Sequence, residues 1–211
     1  MFRSRRRGVV YPQAEHQRLA GAIAAEWAEP PALPFESLVR GVATHDRGYG
    51  DLDNDGIGEL ETERWLEIQR RGLAPQGEDA IVELIVAMHS FRLVSKASMP
   101  VEDAVVREFE AARDARLAAA GIDPALAAEA DAITDLCDRI AFSFCFEEAA
   151  AGTVGAIAYA VDPDGTATLD PWPLRLSELR ETAVGYEAQG YPGRLVPVER
   201  DLVVAPRPAR A

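Results

Sequence analysis

Hydrophobic residues recur at helical spacing through the first 150 positions and then break into short runs. Over residues 13–28, Leu19, Ala20, Ile23, Ala24 and Trp27 return every three or four positions, and Pro30-Pro31 closes the segment. A second helix starts near Phe35 and places Leu38, Val39 and Val42 on one face. Residues 60–72, with Trp65 and Ile68, form a short third helix. A longer one runs from about Asp79 into the nineties, with Ile81, Leu84, Ile85 and Met88 on its apolar side and His89 next in line. Residues 101–120 are amphipathic and stop at Gly121. Asp123-Pro124 then opens a helix that continues to about Ala150, because Asp caps a helix start and Pro suits its first turn. That helix contains the apolar run Ile140-Ala-Phe-Ser-Phe-Cys-Phe146.

Beyond Gly152 the runs are short and bounded by Gly, Pro and Asp. Residues 154–161, 166–169, 182–186 and 201–205 read as small antiparallel strands, with a frayed end from Pro206. The pattern predicts a mainly α protein: a helical core over residues 1–151 with a small antiparallel β-rich element over 152–211 packed on it. A chain of 211 residues suffices for one well-filled core.

Charge narrows the function. A formal net charge of −13 argues against broad binding to nucleic acid or to anionic lipid, and no stretch has the length and apolarity of a membrane span. Arg3, Arg5, Arg6 and Arg7 precede no apolar signal core and read as a solvated, disordered tip. Cys137 and Cys145 fall eight residues apart in one helix, about 12 Å along its axis, too far for a disulfide within it. A cytoplasmic location is expected. Asp51-Leu-Asp-Asn-Asp-Gly56 imitates the start of a calcium loop, but Thr62 stands where the closing Glu belongs. It reads as a solvated acidic loop in which Asp51 or Asp53 could line a cleft.

The chemistry concentrates on histidine and aspartate. His45-Asp46 follows the apolar face of the second helix, just before Gly48 and Gly50. Adjacent helical residues point about 100° apart, so the two can share an ion only where the helix frays. His16 lies one turn into the first helix on its core side, His89 on the fourth helix, and Asp138 just before the apolar run. Imidazole and carboxylate together suit zinc, iron, manganese or another divalent ion. Asp135, three residues before Asp138, competes for the ligand role, and Asp138 could instead pair with Arg139 or with an arginine elsewhere.

This order resembles the HD-domain superfamily of metal-dependent phosphohydrolases, whose signature is an early His, an adjacent His-Asp pair and a late Asp. The matching positions are His16, His45, Asp46 and Asp138, with His89 where several members carry a further His. The chain is similar, more closely, to a bacterial HD-like family of unknown function. The segments that carry this are Gln13-Ala-Glu-His16, Thr44-His-Asp-Arg-Gly-Tyr49, Met88-His89, Cys137-Asp138-Arg139 and Asp170-Pro-Trp-Pro173. The resemblance implies an HD-like helical bundle. It also implies a divalent metal (Zn, Fe, Mn or Mg) held by His16, His45, Asp46 and Asp138, and it favours Asp138 over Asp135. Three histidines favour a single metal, with His89 as an extra ligand or a phosphate contact.

The activity so implied is hydrolysis of a small phosphorylated metabolite or nucleotide, as a phosphohydrolase or phosphodiesterase. Asp46 would orient the nucleophile and His89 would serve the leaving group or the phosphate, with Arg47, Tyr49 and Lys96 as substrate contacts. Trp172, between prolines, is a packing anchor or a wall of the cleft. An HD-type iron oxygenase and a non-catalytic small-ligand-binding protein are the alternatives.

Overall fold

The helices lie where the periodicity places them, but they do not make the whole fold. The computed structural model describes residues 1–50, 53 and 55–208. In it α1 spans Gln13–Ala25, α2 Phe35–Val42, α3 Thr62–Leu73, α4 Ala80–Ser95, α5 Asp103–Ala120 and α6 Pro124–Phe146. Asp123 caps α6 as its sequence predicts, accepting from the N–H of Ala125. None of these helices is long and apolar enough to cross a membrane.

The expected mainly α bundle with a small β appendage is overturned by a seven-stranded, curled, mixed sheet. Its strands are β1 (Phe2–Arg3), β2 (Val9–Tyr11), β3 (Ala150–Val154), β4 (Ile157–Val161), β5 (Thr166–Asp170), β6 (Leu179–Glu187) and β7 (Pro197–Pro206). They stand in the order β1-β2-β6-β7-β5-β4-β3. All neighbours are antiparallel except β5 and β7, which run parallel. The sheet therefore draws on both sides of the boundary expected at residues 151/152.

Two features hid this sheet. β1 and β2 are too short to establish an alternation, and their apolar residues flank a run of arginines. β6 and β7 are longer than their apolar cores, because half of each strand faces solvent with residues such as Arg180, Thr182, Glu199 and Asp201. The arginine-rich tip is likewise ordered. Phe2, Val10 and Tyr11 are fully buried, and Arg7 reaches Glu147 at the end of α6 through Nε at 2.9 Å from Oε1 and 3.0 Å from Oε2. Glu147 caps α6 with a positive φ of 56°, and the guanidinium of Arg200 lies 3.7 Å from it. Asp51 and residues 209–211 lie outside the described residues. Asp53 is buried, accepts from the backbone N–H of Gln13 at 3.0 Å and pairs with the Met1 amine.

α6 is the axis of the core. Ile140, Ala141, Phe144 and Cys145 are fully buried, and they share one cluster with Leu19 and Ile23 of α1 and with Val161, Leu169, Leu202 and Val204 of the sheet. Both cysteines are buried and free. α1 and α2 touch backbone to backbone at Gly21, where a Cβ would lie 2.6 Å from Ala43 Cβ. α2 meets α4 as closely at Gly41, where a Cβ would fall 2.5 Å from Ile85 Cδ1. These approaches pack α1 and α4 against the C-terminal end of α2.

Gly21→Val should therefore destabilise by about 1–3 kcal/mol through overpacking, whereas Gly8→Ala, at a site open to solvent, should stay within about 0.5 kcal/mol. Urea titration of the two variants measures the difference. A pH effect follows from Glu147. Burial works against its carboxylate, but the hydrogen bonds from Arg7 and Ser4 and the charge of Arg200 outweigh burial and hold its pKa below the ordinary glutamate value. The unfolded chain thus takes up this proton at higher pH than the folded chain does. The stability that Glu147 supplies is full above about pH 4.3 and is lost as pH falls through the depressed folded value. Glu147→Gln should flatten that part of the acid limb, and Arg7→Ala should cost about 1–3 kcal/mol at pH 7 by stripping a buried carboxylate of its main partner.

Candidate metal centre

α2 ends at Val42, and the next four residues turn without continuing it. Side chains take over the carbonyls that the helix leaves behind. Thr44 Oγ1 donates to Arg40 O at 2.9 Å, and His45 Nδ1 donates to Val42 O at 2.6 Å. The stop thus comes before the glycines: Gly48 sits in a single 3₁₀ turn, Arg47–Tyr49, and Gly50 follows with φ 81°. With Nδ1 engaged, His45 presents Nε2 inward. The pair lies off the helix, which is the condition under which adjacent residues can face one point.

α1 and α6 supply the other half. His16 Nε2 is 3.1 Å from His45 Nε2 and 3.1 Å from Asp138 Oδ1. Asp138 Oδ1 is 3.6 Å from His45 Nε2, and Asp46 Oδ2 lies 4.0 Å from His16 Nε2 and 3.9 Å from His45 Nε2. All four side chains are buried. Two imidazole nitrogens cannot face each other at this distance with both lone pairs bare, so a proton or a metal cation has to lie between them. Burial opposes charge on Asp138, but hydrogen bonds to His16 and His45 win and its pKa falls well below the usual carboxylate range. Asp46 is lowered too, with burial outweighed by His89, His45 and His16. For His45, burial is overcome by the Asp138 hydrogen bond and the charges of Asp46 and Asp138, and its pKa rises. The point attracts positive charge.

The donor set fits a divalent metal. The ligand atoms of His16, His45 and Asp46 lie within 4.8 Å of one another, and so do those of His45, His89 and Asp138. The first group, completed by Asp138, is the better one, because both nitrogens of His89 are already engaged. Arg92 Nη2 stands 2.9 Å from His89 Nδ1, and a guanidinium can only donate. His89 Nδ1 therefore accepts, and its Nε2–H donates to Asp46 Oδ1 at 3.1 Å. Desolvation lowers the His89 pKa, and the His45 charge adds to this. In this geometry His89 orients Asp46, and the ligand role expected for it is not the one its contacts favour.

Arg92 went unnoticed in the sequence. It anchors α4 to α6 through ion pairs with Asp131 and, at 3.2 Å, with Asp135. Its one available signal was the spacing of three residues from His89 on a helix. Asp135 also takes Arg139 at 3.0 Å, so the aspartate that competed for the ligand role is an arginine clamp, and Arg139 pairs with it and not with Asp138. Gln17 is a second residue without a sequence signal: its Oε1 accepts from the backbone N–H of Asp46 at 3.2 Å.

Asp46, His89 and Asp138 form the floor of a cavity of about 420 Å³. Tyr49 and Lys96 line it, as expected of substrate contacts. Burial, reinforced by the charge of Asp46, pushes the Tyr49 phenol up, so it remains an O–H donor. Arg47 does not line the cavity. It is bound to Glu83 at 2.7 Å and to the carbonyls of Gly72 and Ala74, where it closes the end of α3. Trp172 does not line it either; its Nε1 donates to Leu176 O at 2.7 Å.

Comparison with known proteins gives one finding. The family described as "Protein of unknown function (DUF3891)" matches residues 2–185, and the chain belongs to it. No curated protein and no solved structure matches the chain.

If His89 is an orienting residue, His89→Gln should weaken Zn²⁺ or Mn²⁺ affinity by about 10–100-fold, while Asp46→Asn should weaken it further. Isothermal titration of the apo-protein separates the two. Equal losses would make His89 a ligand.

Proposed function

We propose that the protein is a metal-dependent hydrolase of a small phosphate ester. The observation that carries this reading is the pair of imidazole nitrogens at 3.1 Å, flanked by Asp46 and Asp138, two buried carboxylates that line an open cavity. His16, His45, Asp46 and Asp138 hold one divalent ion, in the residue order by which the sequence resembles the HD phosphohydrolases. Bound there, the ion supplies Lewis acidity, acidifying a water and drawing charge from a phosphoryl oxygen.

The chain's own residues supply the rest. Asp46, held by His89 Nε2–H and by its own N–H on Gln17, is fixed to accept a hydrogen bond from the attacking water. Arg92 keeps His89 in the tautomer that allows this. The Lys96 ammonium and the Tyr49 O–H are donors on the cavity wall for the phosphoryl oxygens. Two free cysteines fit action in a reducing compartment, the cytoplasm.

Elemental analysis of protein purified without chelators, with a phosphatase and phosphodiesterase panel over several metals, tests the reading. One bound transition metal and metal-dependent turnover are expected. An iron-dependent oxygen-consuming activity without hydrolysis would replace it with the oxygenase alternative. Asp46→Ala should lose both metal and turnover while leaving the fold largely intact by circular dichroism, since α6 and the sheet carry the core. Full metal content and turnover in that variant would overturn the mechanism.

A further inference from the structure

We infer that the cavity selects esters carrying a single phosphate on a flat apolar body, and rejects polyphosphates; this rests on the hydrolase reading. Charge makes the first half of the case. Among the described residues, Arg92 and Arg139 on the wall are matched by Asp131 and Asp135, and Glu148 by Arg5. Asp46 and Asp138 are opposed by the cation they would hold. Lys96 is left, exposed at the C-terminal end of α4, with no carboxylate paired to it among the described residues. One ammonium beside one divalent ion meets a single phosphate, which carries about −1.5 to −2 at neutral pH. A polyphosphate would bring further charge to a wall whose other cations, Arg92 and Arg139, are already paired, so its extra anions would find no free cation there.

The second half is shape and surface. Phe2, Ile57, Trp65, Leu93 and Phe142 line the same space as the carboxylates. Phe142 stands edge-on to Phe2, with ring centroids 5.4 Å apart. A wall of this kind gains by covering an apolar ring and gains nothing from a polyol. The cavity volume of about 420 Å³ accepts a body of two fused rings with its phosphate.

The Zn²⁺- or Mn²⁺-loaded protein is assayed with 1-naphthyl phosphate, glycerol 1-phosphate and a nucleoside triphosphate, and Trp fluorescence and calorimetry record binding of each. Naphthyl phosphate should exceed the other two in kcat/KM by at least tenfold. Lys96→Met should lower its kcat/KM about tenfold and weaken its binding in calorimetry, Lys96→Arg should restore both, and Trp65→Ala should shrink the preference over glycerol phosphate. Preference for the triphosphate or for glycerol phosphate overturns the inference while leaving the hydrolase reading standing. If no ester is turned over with any metal, the hydrolase reading fails. The inference is then decided by calorimetry alone: tighter binding of naphthyl phosphate than of the triphosphate upholds it, and the reverse order overturns it.

Discussion

The constraint on which this structure depends is the burial of two carboxylates against two imidazole rings. An isolated ionised carboxylate is too costly to bury, and here Asp46 and Asp138 are buried within a few ångströms of each other's partners. They are tolerated because His16 and His45 converge on the same point and because His89 and Gln17 hold Asp46 from behind. That convergence requires α1, α2 and α4 to approach more closely than ordinary side chains permit. Gly21 and Gly41 remove the side chains at the two contacts that matter. Helix packing and site geometry are therefore one requirement.

Much of the centre was legible because its residues are of rare types in a short order. Three histidines and a His-Asp pair stand out in a chain otherwise rich in Ala, Glu and Arg, and the caps of α6 locate Asp138 on a helix with an apolar face. The clamp was not legible. Arg92 resembles any arginine on a helix surface until the fold brings Asp131 and Asp135 of α6 to it. The same limit misassigned Arg47: a basic residue beside the His-Asp pair looks like a substrate contact, but Glu83 lies 36 positions away in sequence and claims it.

The sheet was under-read for a different reason. Local alternation reveals a strand only when the strand is long enough to alternate and has one wet face. β1 has two residues and β2 three, and β2 is buried throughout. Their strand character comes from pairing: β1 with β2, and β2 with β6, a partner more than 170 residues further along. The parallel pairing of β5 with β7 is similarly a property of the whole sheet and has no counterpart in either segment. The arginines between β1 and β2 were read as solvated because charge runs usually are. The residue that breaks the rule, Arg7, does so through Glu147 at the far end of the chain's longest helix.

The two halves of the fold also divide the labour at the site. The side chains that could hold a metal, His16, His45, Asp46 and Asp138, all come from helices or the turn that follows α2, where close packing fixes them. The cavity above them is walled in part by the sheet and its flanks, through Phe2 of β1, Ala150 of β3 and Tyr159 of β4. Phe2 serves both halves, since its ring also packs 4.8 Å from the His16 ring while its strand is held by β2. A change in the amino-terminal hairpin should thus reach the ligand set directly through His16, while a change in β3 or β4 should alter only what the cavity accepts. Mutational effects at the site should fall into two groups, one moving metal affinity and one moving substrate preference, with Phe2 as the position where they overlap.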